Sequence, residues 1–262
     1  MPGPLRVVVL AACLSATLSV PTGATAQTLT VAAAADLQTV MPALCAEFQK
    51  ATGRTVRVTY GSSGNFFTQI QNGAPFDLFM SADVTYPRQL ERAGLTEPGS
   101  IVVYGTGRIV LWARKVAGVD VSGGLPVLAS AAVKRVAIAN PEHAPYGRAA
   151  VAALQHERLY DRVKAKFILG ENVSQAATFV ESGNADAGII ALSLTLSPAL
   201  KDRGTSYLIP PAFYPPLEQA AVIIKASRQK GAAREFLAFI RRPDMVNLMQ
   251  AFGFALPAAA AR

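Results

Sequence analysis

The chain has 262 residues, 51% of them hydrophobic and 16% charged, with a net charge of +8. It is too apolar for a disordered chain and long enough to bury its own core, as one large domain or as two lobes. The basic excess can steer anions over long range, but no Lys/Arg run or aromatic-basic stripe suggests nucleic acid.

Residues 1–26 read as an export signal. Arg6 is their only charge, residues 7–20 are apolar or small, and Ala24-Thr25-Ala26 supplies an A-x-A cleavage pattern before Gln27. The apolar run is too short to span a bilayer, and no later stretch reaches ~18 apolar residues. The mature chain is expected to begin at Gln27, in the periplasm. Leu10-Ala11-Ala12-Cys13 resembles a lipoprotein cleavage box, whose lipidated Cys13 would instead tether the protein to a membrane. If Cys13 leaves with the leader, Cys45 is the only cysteine and no intramolecular disulfide can form.

Short apolar runs then alternate with helical-period segments, the pattern of an α/β protein with largely parallel sheets. Residues 29–34 predict a first strand. Leu37, Val40, Met41, Leu44, Phe48 and Ala51 follow helical spacing up to Gly53, a suitable C-cap. Pro42 would lie beyond the first turn of a helix capped by Asp36, so that turn is expected to be irregular or the helix to start nearer Thr39. Strands over 56–60 and 77–80 flank a helix over 65–72, completing a βαβαβ unit. Residues 109–113 and 221–224 are two further apolar strands. Between them lies a second series: strand 135–139, helix 148–159, strand 165–169, helix 173–182 and strand 187–191. Helices over 232–241 and 244–252 close the chain. A second α/β unit inserted in the first implies two lobes, with 27–108 and 222–262 forming lobe I and 109–221 forming lobe II.

Four strand-to-helix segments stand out: Ala35-Asp36, Ser62-Ser63-Gly64-Asn65, Pro145-Tyr146-Gly147 and Asn172-Val173-Ser174. Each is small, hydroxylic or amide in character, and none contains Lys or Arg. Helix N-termini carry unpaired N–H donors and a positive dipole end, so several converging on one point form an anion site from backbone. In open α/β sheets ligands bind beyond the carboxyl ends of the strands, which would place all four in one interlobe cleft.

Each segment also has an ordinary reading. Ser63 is an N-cap, or its hydroxyl donates to an anion. Tyr146 donates one hydrogen bond to the anion, or it covers the cleft mouth. Val173, behind a capping arrangement begun by Asn172, would offer a bare N–H. Asp36 is a good N-cap, and its carboxylate would repel an anion at the same helix end, so it is expected to cap its own helix and turn away from the ligand. No G-x-S-x-G elbow, H-E-x-x-H, Walker A loop or Cys/His pair is present, and catalysis is not expected. His143 and His156 lack metal-ligand spacing, and Glu142-His143 has no nucleophile beside it.

Val31-Ala-Ala-Ala-Ala-Asp-Leu37, Tyr60-Gly-Ser-Ser-Gly-Asn65, Gly73-Ala-Pro-Phe-Asp-Leu-Phe-Met-Ser-Ala-Asp83, Asn140-Pro-Glu-His-Ala-Pro-Tyr-Gly147 and Asn184-Ala-Asp-Ala-Gly-Ile189 resemble the periplasmic molybdate-binding proteins of ABC transporters. The resemblance runs in order over the whole mature chain. It implies a type II two-lobed solute-binding fold, each lobe a mostly parallel sheet flanked by helices, joined by two crossover strands. It further implies a monomer without cofactor or free metal, which takes molybdate or tungstate from the periplasm to a membrane permease. By position the family's oxyanion ligands fall on Ala35, Asp36, Ser63, Tyr146 and Val173. Two departures accompany them. The family often has Ser or Asn where this chain has Asp36, and some members have a ligand tyrosine where this chain has Ala191, a loss that Tyr146 offsets. Asp36 leaves open a receptor for a protonated, phosphate-like oxyanion, and beyond that an enzyme reusing the fold.

Overall fold

The structure, a computed structural model, describes Gly3 and residues 28–256. Apart from Gly3, the expected leader, with Cys13, lies outside the described residues.

β1 (Leu29–Ala34) is buried except for Thr30, because it is flanked by strands on both sides and by helices on both faces. A 3₁₀ turn over Ala35–Thr39 follows, and only then α1 (Met41–Thr52). The turn solves the Pro42 problem: Pro42 sits in the first turn of α1, where its missing N–H costs nothing. Gly53, with φ of 74°, ends the helix. The chain continues through β2 (Val56–Gly61), α2 (Ser63–Gln71), β3 (Leu78–Ser81), α3 (Thr85–Arg92) and β4 (Val102–Gly107). β5 (Ile109–Arg114) enters the second sheet, followed by β6 (Val136–Ala139), α4 (Pro145–His156), α5 (Tyr160–Val163) and β7 (Phe167–Gly170). α6 (Val173–Ser182), β8 (Ala187–Ala191), α7 (Leu192–Thr195) and β9 (Gly204–Leu208) complete that unit. β10 (Leu217–Ile223), α8 (Lys230–Ile240) and α9 (Pro243–Ala251) return to the first.

The two five-stranded sheets have the orders β2-β1-β3-β10-β4 and β7-β6-β8-β5-β9. In each, three consecutive strands are parallel. One strand runs against both of its neighbours: β10 in the first sheet and β5 in the second. Those two strands are the first elements after each crossing between sheets. All of β10 pairs within the first sheet, so the returning crossing falls between Leu208 and Leu217, ahead of the expected 221/222 boundary.

In lobe I, Leu37, Met41, Leu44 and Phe48 pack with Phe236, Phe239 and Ile240 on one face of the sheet. Phe66, Ile70 and Leu90 cover the other with Phe79 and Val222. Lobe II has a single core around Trp112, Leu128, Ile138, Leu154 and Val180. Cys45 is a free thiol, so packing and hydrogen bonds hold the described fold without a disulfide.

Candidate functional site

The carboxyl ends of β1, β2, β6 and β7 point toward the space between the sheets, and the four helix-starting segments meet there. α2 begins at Ser63, but the N-cap is Ser62, one residue earlier than expected. Ser62 has extended dihedrals and its Oγ accepts from Asn65 N–H at 3.3 Å. Ser63 is thereby released from capping. Its buried Oγ accepts from Ala82 N–H at 3.0 Å, which leaves its own O–H proton for another acceptor. In α6, Asn172 Oδ1 accepts from Ser174 and Gln175 N–H groups, both at 3.0 Å. The Val173 N–H, one position earlier, has no intrahelical acceptor. α4 starts with Pro145 and has no side-chain cap, so the backbone around Tyr146 is likewise open at this end.

Ala35, Asp36, Ser63, Tyr146 and Val173 all line one small cavity, with Ser62, Ala82 and Asn172 among its other walls. It leaves about 10 Å³ for the centre of a water-sized sphere, roughly one such position. No Lys, Arg or His contributes to the lining. Larger hollows exist, including one of about 610 Å³ beside Thr30, Asp77 and Ser227. That groove lies at the opposite ends of β1 and β3, and its only buried acid is satisfied by Thr30 and Ser227. Volume therefore does not select the site; the converging donors do.

Asp36 departs most from its expected role. The residue preceding the 3₁₀ turn is Ala34, no side chain caps the turn, and Asp36 lies inside it, fully buried. Its Oδ2 accepts from the Tyr146 hydroxyl at 2.9 Å and from Gln219 Nε2 at 2.5 Å, while Oδ1 is buried without a partner. The Tyr146 hydroxyl thus gives its single proton to Asp36, and it lies within 3.2 Å of Gln219 Nε2. Burial pushes the Asp36 carboxyl up to about 6, against the opposing pull of Gln219, Tyr146 and its own N–H. The Tyr104 hydroxyl lies 3.0 Å from Gln219 Oε1 and 3.1 Å from the Ser81 carbonyl, so its single proton is shared between these two acceptors.

Hydrogen bonds tie the lobes around this point. Gly64 N–H donates to the His143 carbonyl at 2.9 Å, and Ser62 Oγ meets His143 Nδ1 at 2.8 Å. Ser193 Oγ donates to the Asp36 carbonyl at 2.8 Å, and Ser174 Oγ to Gln38 at 2.9 Å. Arg148 reaches across to Asp83 at 2.6 Å and to the Tyr86 hydroxyl at 3.2 Å. His143 is thus placed in an interlobe tie, whereas His156 stacks on Phe213 at the surface of lobe II. Among the described residues no group of three or more His, Cys, Asp or Glu could hold a metal. No helix among them is long and apolar enough to cross a membrane.

Gln219 is the functional neighbour that sequence reading passed over. A fully buried glutamine inside the apolar run Leu217–Ile223 was the available signal, since a buried amide demands partners.

Residues 29–255 match the family described as bacterial extracellular solute-binding protein. The molybdate-binding protein ModA of Azotobacter vinelandii is 38% identical over 213 residues, 81% of this chain and 84% of that one. ModA of Rhodobacter capsulatus is 36% identical over 209 residues, 80% and 81% of the two chains. The solved structure of the periplasmic molybdate-binding protein of Azotobacter vinelandii superposes with a TM-score of 0.83 at 37% identity, covering 88% of this chain and 100% of that one.

Proposed function

The chain belongs to the bacterial extracellular solute-binding proteins, and from that premise we propose that it captures molybdate or tungstate in the interlobe cavity and delivers it to an ABC permease. The observation that carries this reading is the convergence of the starts of α2, α4 and α6 on a cavity without a basic side chain. Such a site favours a small anion through fixed N–H and O–H donors. The two relatives named molybdate-binding proteins supply the identity of the anion.

In this reading Ala35, Asp36, Ser63, Tyr146 and Val173 surround the oxyanion. Val173 and the other helix-start residues offer backbone N–H, and Ser63 offers its unused hydroxyl proton. Tyr146 faces the cavity with its hydroxyl already directed to Asp36 and acts chiefly by orienting that carboxyl group. Hydrogen bonds to a charged ligand contribute ~1.5–3 kcal/mol each, so about six give a gross term of order 10 kcal/mol. Lobe closure and ordering offset part of it, consistent with a submicromolar dissociation constant. The protein works in this account as a monomeric, non-catalytic receptor in the periplasm, released from its leader near Ala26.

Calorimetric titration with molybdate, tungstate, sulfate and phosphate at one pH tests it. Tight molybdate and tungstate binding with silent sulfate and phosphate is the expected result. A phosphate signal with silent molybdate would move the reading to a protonated oxyanion, and silence with all four would overturn the receptor role for this ligand class.

A further inference from the structure

We propose that Asp36 binds the oxyanion as a neutral carboxylic acid, with the proton on Oδ1 donated to the ligand, so that capture of one anion is accompanied by uptake of one proton. This rests on the oxyanion-receptor reading above and specifies how its least compatible residue contributes.

The geometry separates the two carboxyl oxygens. Oδ2 accepts two hydrogen bonds, from Tyr146 and Gln219, which is the pattern of the carbonyl oxygen of an acid or of one end of a carboxylate. Oδ1 is buried and lacks any partner, on a residue that lines the anion cavity. A buried carboxylate oxygen without a donor is costly, and beside a dianion it is costlier still. A single proton on Oδ1 removes both costs. It cancels the like charge and converts an orphan acceptor into a donor that an acceptor-only ligand can use. Molybdate at neutral pH is fully deprotonated and carries no proton of its own to share. The proton therefore comes from solvent on binding and returns to solvent on release, when the carboxylate is restored.

The groups around Asp36 leave that proton no other role. From β10 comes Gln219, whose Nε2 donates to Asp36 and whose Oε1 faces the Tyr104 hydroxyl of β4. From α4 comes Tyr146, and from α7 Ser193, which is spent on the Asp36 backbone carbonyl. Tyr104 and Tyr146 are raised well above the usual phenol range, by burial first and by Asp36 next, and stay neutral. Tyr214, on the approach to β10, is raised by burial as well. The neighbouring carboxylate, Asp83, is held by Arg148. No basic side chain is among the groups acting on Asp36. Burial already lifts its carboxyl to about 6 before any anion arrives, and a dianion beside it lifts it further.

Titrating molybdate into the protein in two buffers of different ionisation enthalpy counts the protons directly. Near pH 8 the expected count is close to one taken up per molybdate bound. The molybdate Kd is expected to rise about tenfold per pH unit above about pH 6. Asp36→Asn supplies a permanently neutral donor. It should abolish both the uptake and the pH slope while binding molybdate more tightly than the parent near pH 8. Ser63→Ala should weaken binding alike at every pH and keep the proton uptake. Tight binding with no proton uptake by the parent protein overturns the inference and leaves the receptor reading standing; an Asp36→Asn protein that keeps the parent's pH slope does the same. Absence of any molybdate heat overturns the receptor reading and this inference together.

Discussion

Ser62 and Ser63 divide two tasks that either could perform. An N-cap side chain works from an extended conformation just outside the helix, so Ser62 becomes the cap and Ser63, the first helical residue, lines the cavity with its Oγ accepting from the Ala82 N–H. Ser63→Ala is expected to weaken oxyanion binding by ~1.5–3 kcal/mol, ten- to a hundredfold, and also to lower the melting temperature by a few degrees, because the buried Ala82 N–H loses its acceptor. Titration calorimetry and thermal unfolding on the same sample check both halves. Asp36 sets a different expectation for the protein without ligand. Its carboxyl rises from an ordinary 3.8 to about 6 in the fold, so as pH increases the unfolded chain loses this proton first. The contribution of Asp36 to stability is therefore most favourable below the unfolded value. It declines across the interval and is lost above about pH 6, a difference of about 3 kcal/mol. Asp36→Asn should raise the melting temperature at pH 8 by several degrees and have little effect near pH 4. Equal melting temperatures of the two proteins at pH 8 would contradict the burial of a charged carboxyl group.

Helix starts position the donors, and each is specified by a small local device. Asn172 aligns α6 by accepting two N–H groups, which leaves the Val173 N–H directed outward. Asn172→Ala is expected to cost about 1 kcal/mol of stability and also to weaken binding, because the first turn of α6 loses its fixed orientation. α2 carries a glycine for a different reason. A Cβ at Gly64 would come within 2.5 Å of the His143 carbonyl and 2.6 Å of the Tyr86 hydroxyl, both across or beside the lobe contact. Gly64→Ala should therefore leave each lobe folded and hold the lobes apart. The expected signature is an unchanged melting temperature without ligand together with a loss of molybdate affinity of tenfold or more. A variant that binds as tightly as the parent would show that this contact is not needed for closure.

At the level of the whole molecule, ligand binding and lobe closure are expected to form one equilibrium, since the cavity is lined by residues from the ends of both sheets. Molybdate at ~100 times its Kd should add about 2.7 kcal/mol to stability. X-ray scattering should show a smaller radius of gyration with ligand than without, and an identical radius in both states would remove hinge closure from the account. Long-range steering by the basic excess that remains after the leader is removed should make the association rate fall as salt is added, with the dissociation rate much less affected.

The amino-acid sequence by itself determined the elements with strong periodicity. β1, α6 and β8 span the same residues in expectation and structure, because apolar runs and capping residues act locally and need no partner to be read. β9, half exposed at a sheet edge, and β4, with two glycines, lacked such a run and were not anticipated. Nor was α3, whose eight residues bury only Pro87 and Leu90. For the site, the small and hydroxylic helix starts pointed to the four segments that line the cavity, since unpaired N–H donors follow from where a helix begins. Only the tertiary structure decided what Asp36 does. Tyr146 is 110 positions from it and Gln219 is 183, and these long-range partners fix one carboxyl oxygen and leave the other bare. Burial of a charge depends on segments brought together from both lobes, and that desolvation has no signature in the residues next to Asp36 in the chain.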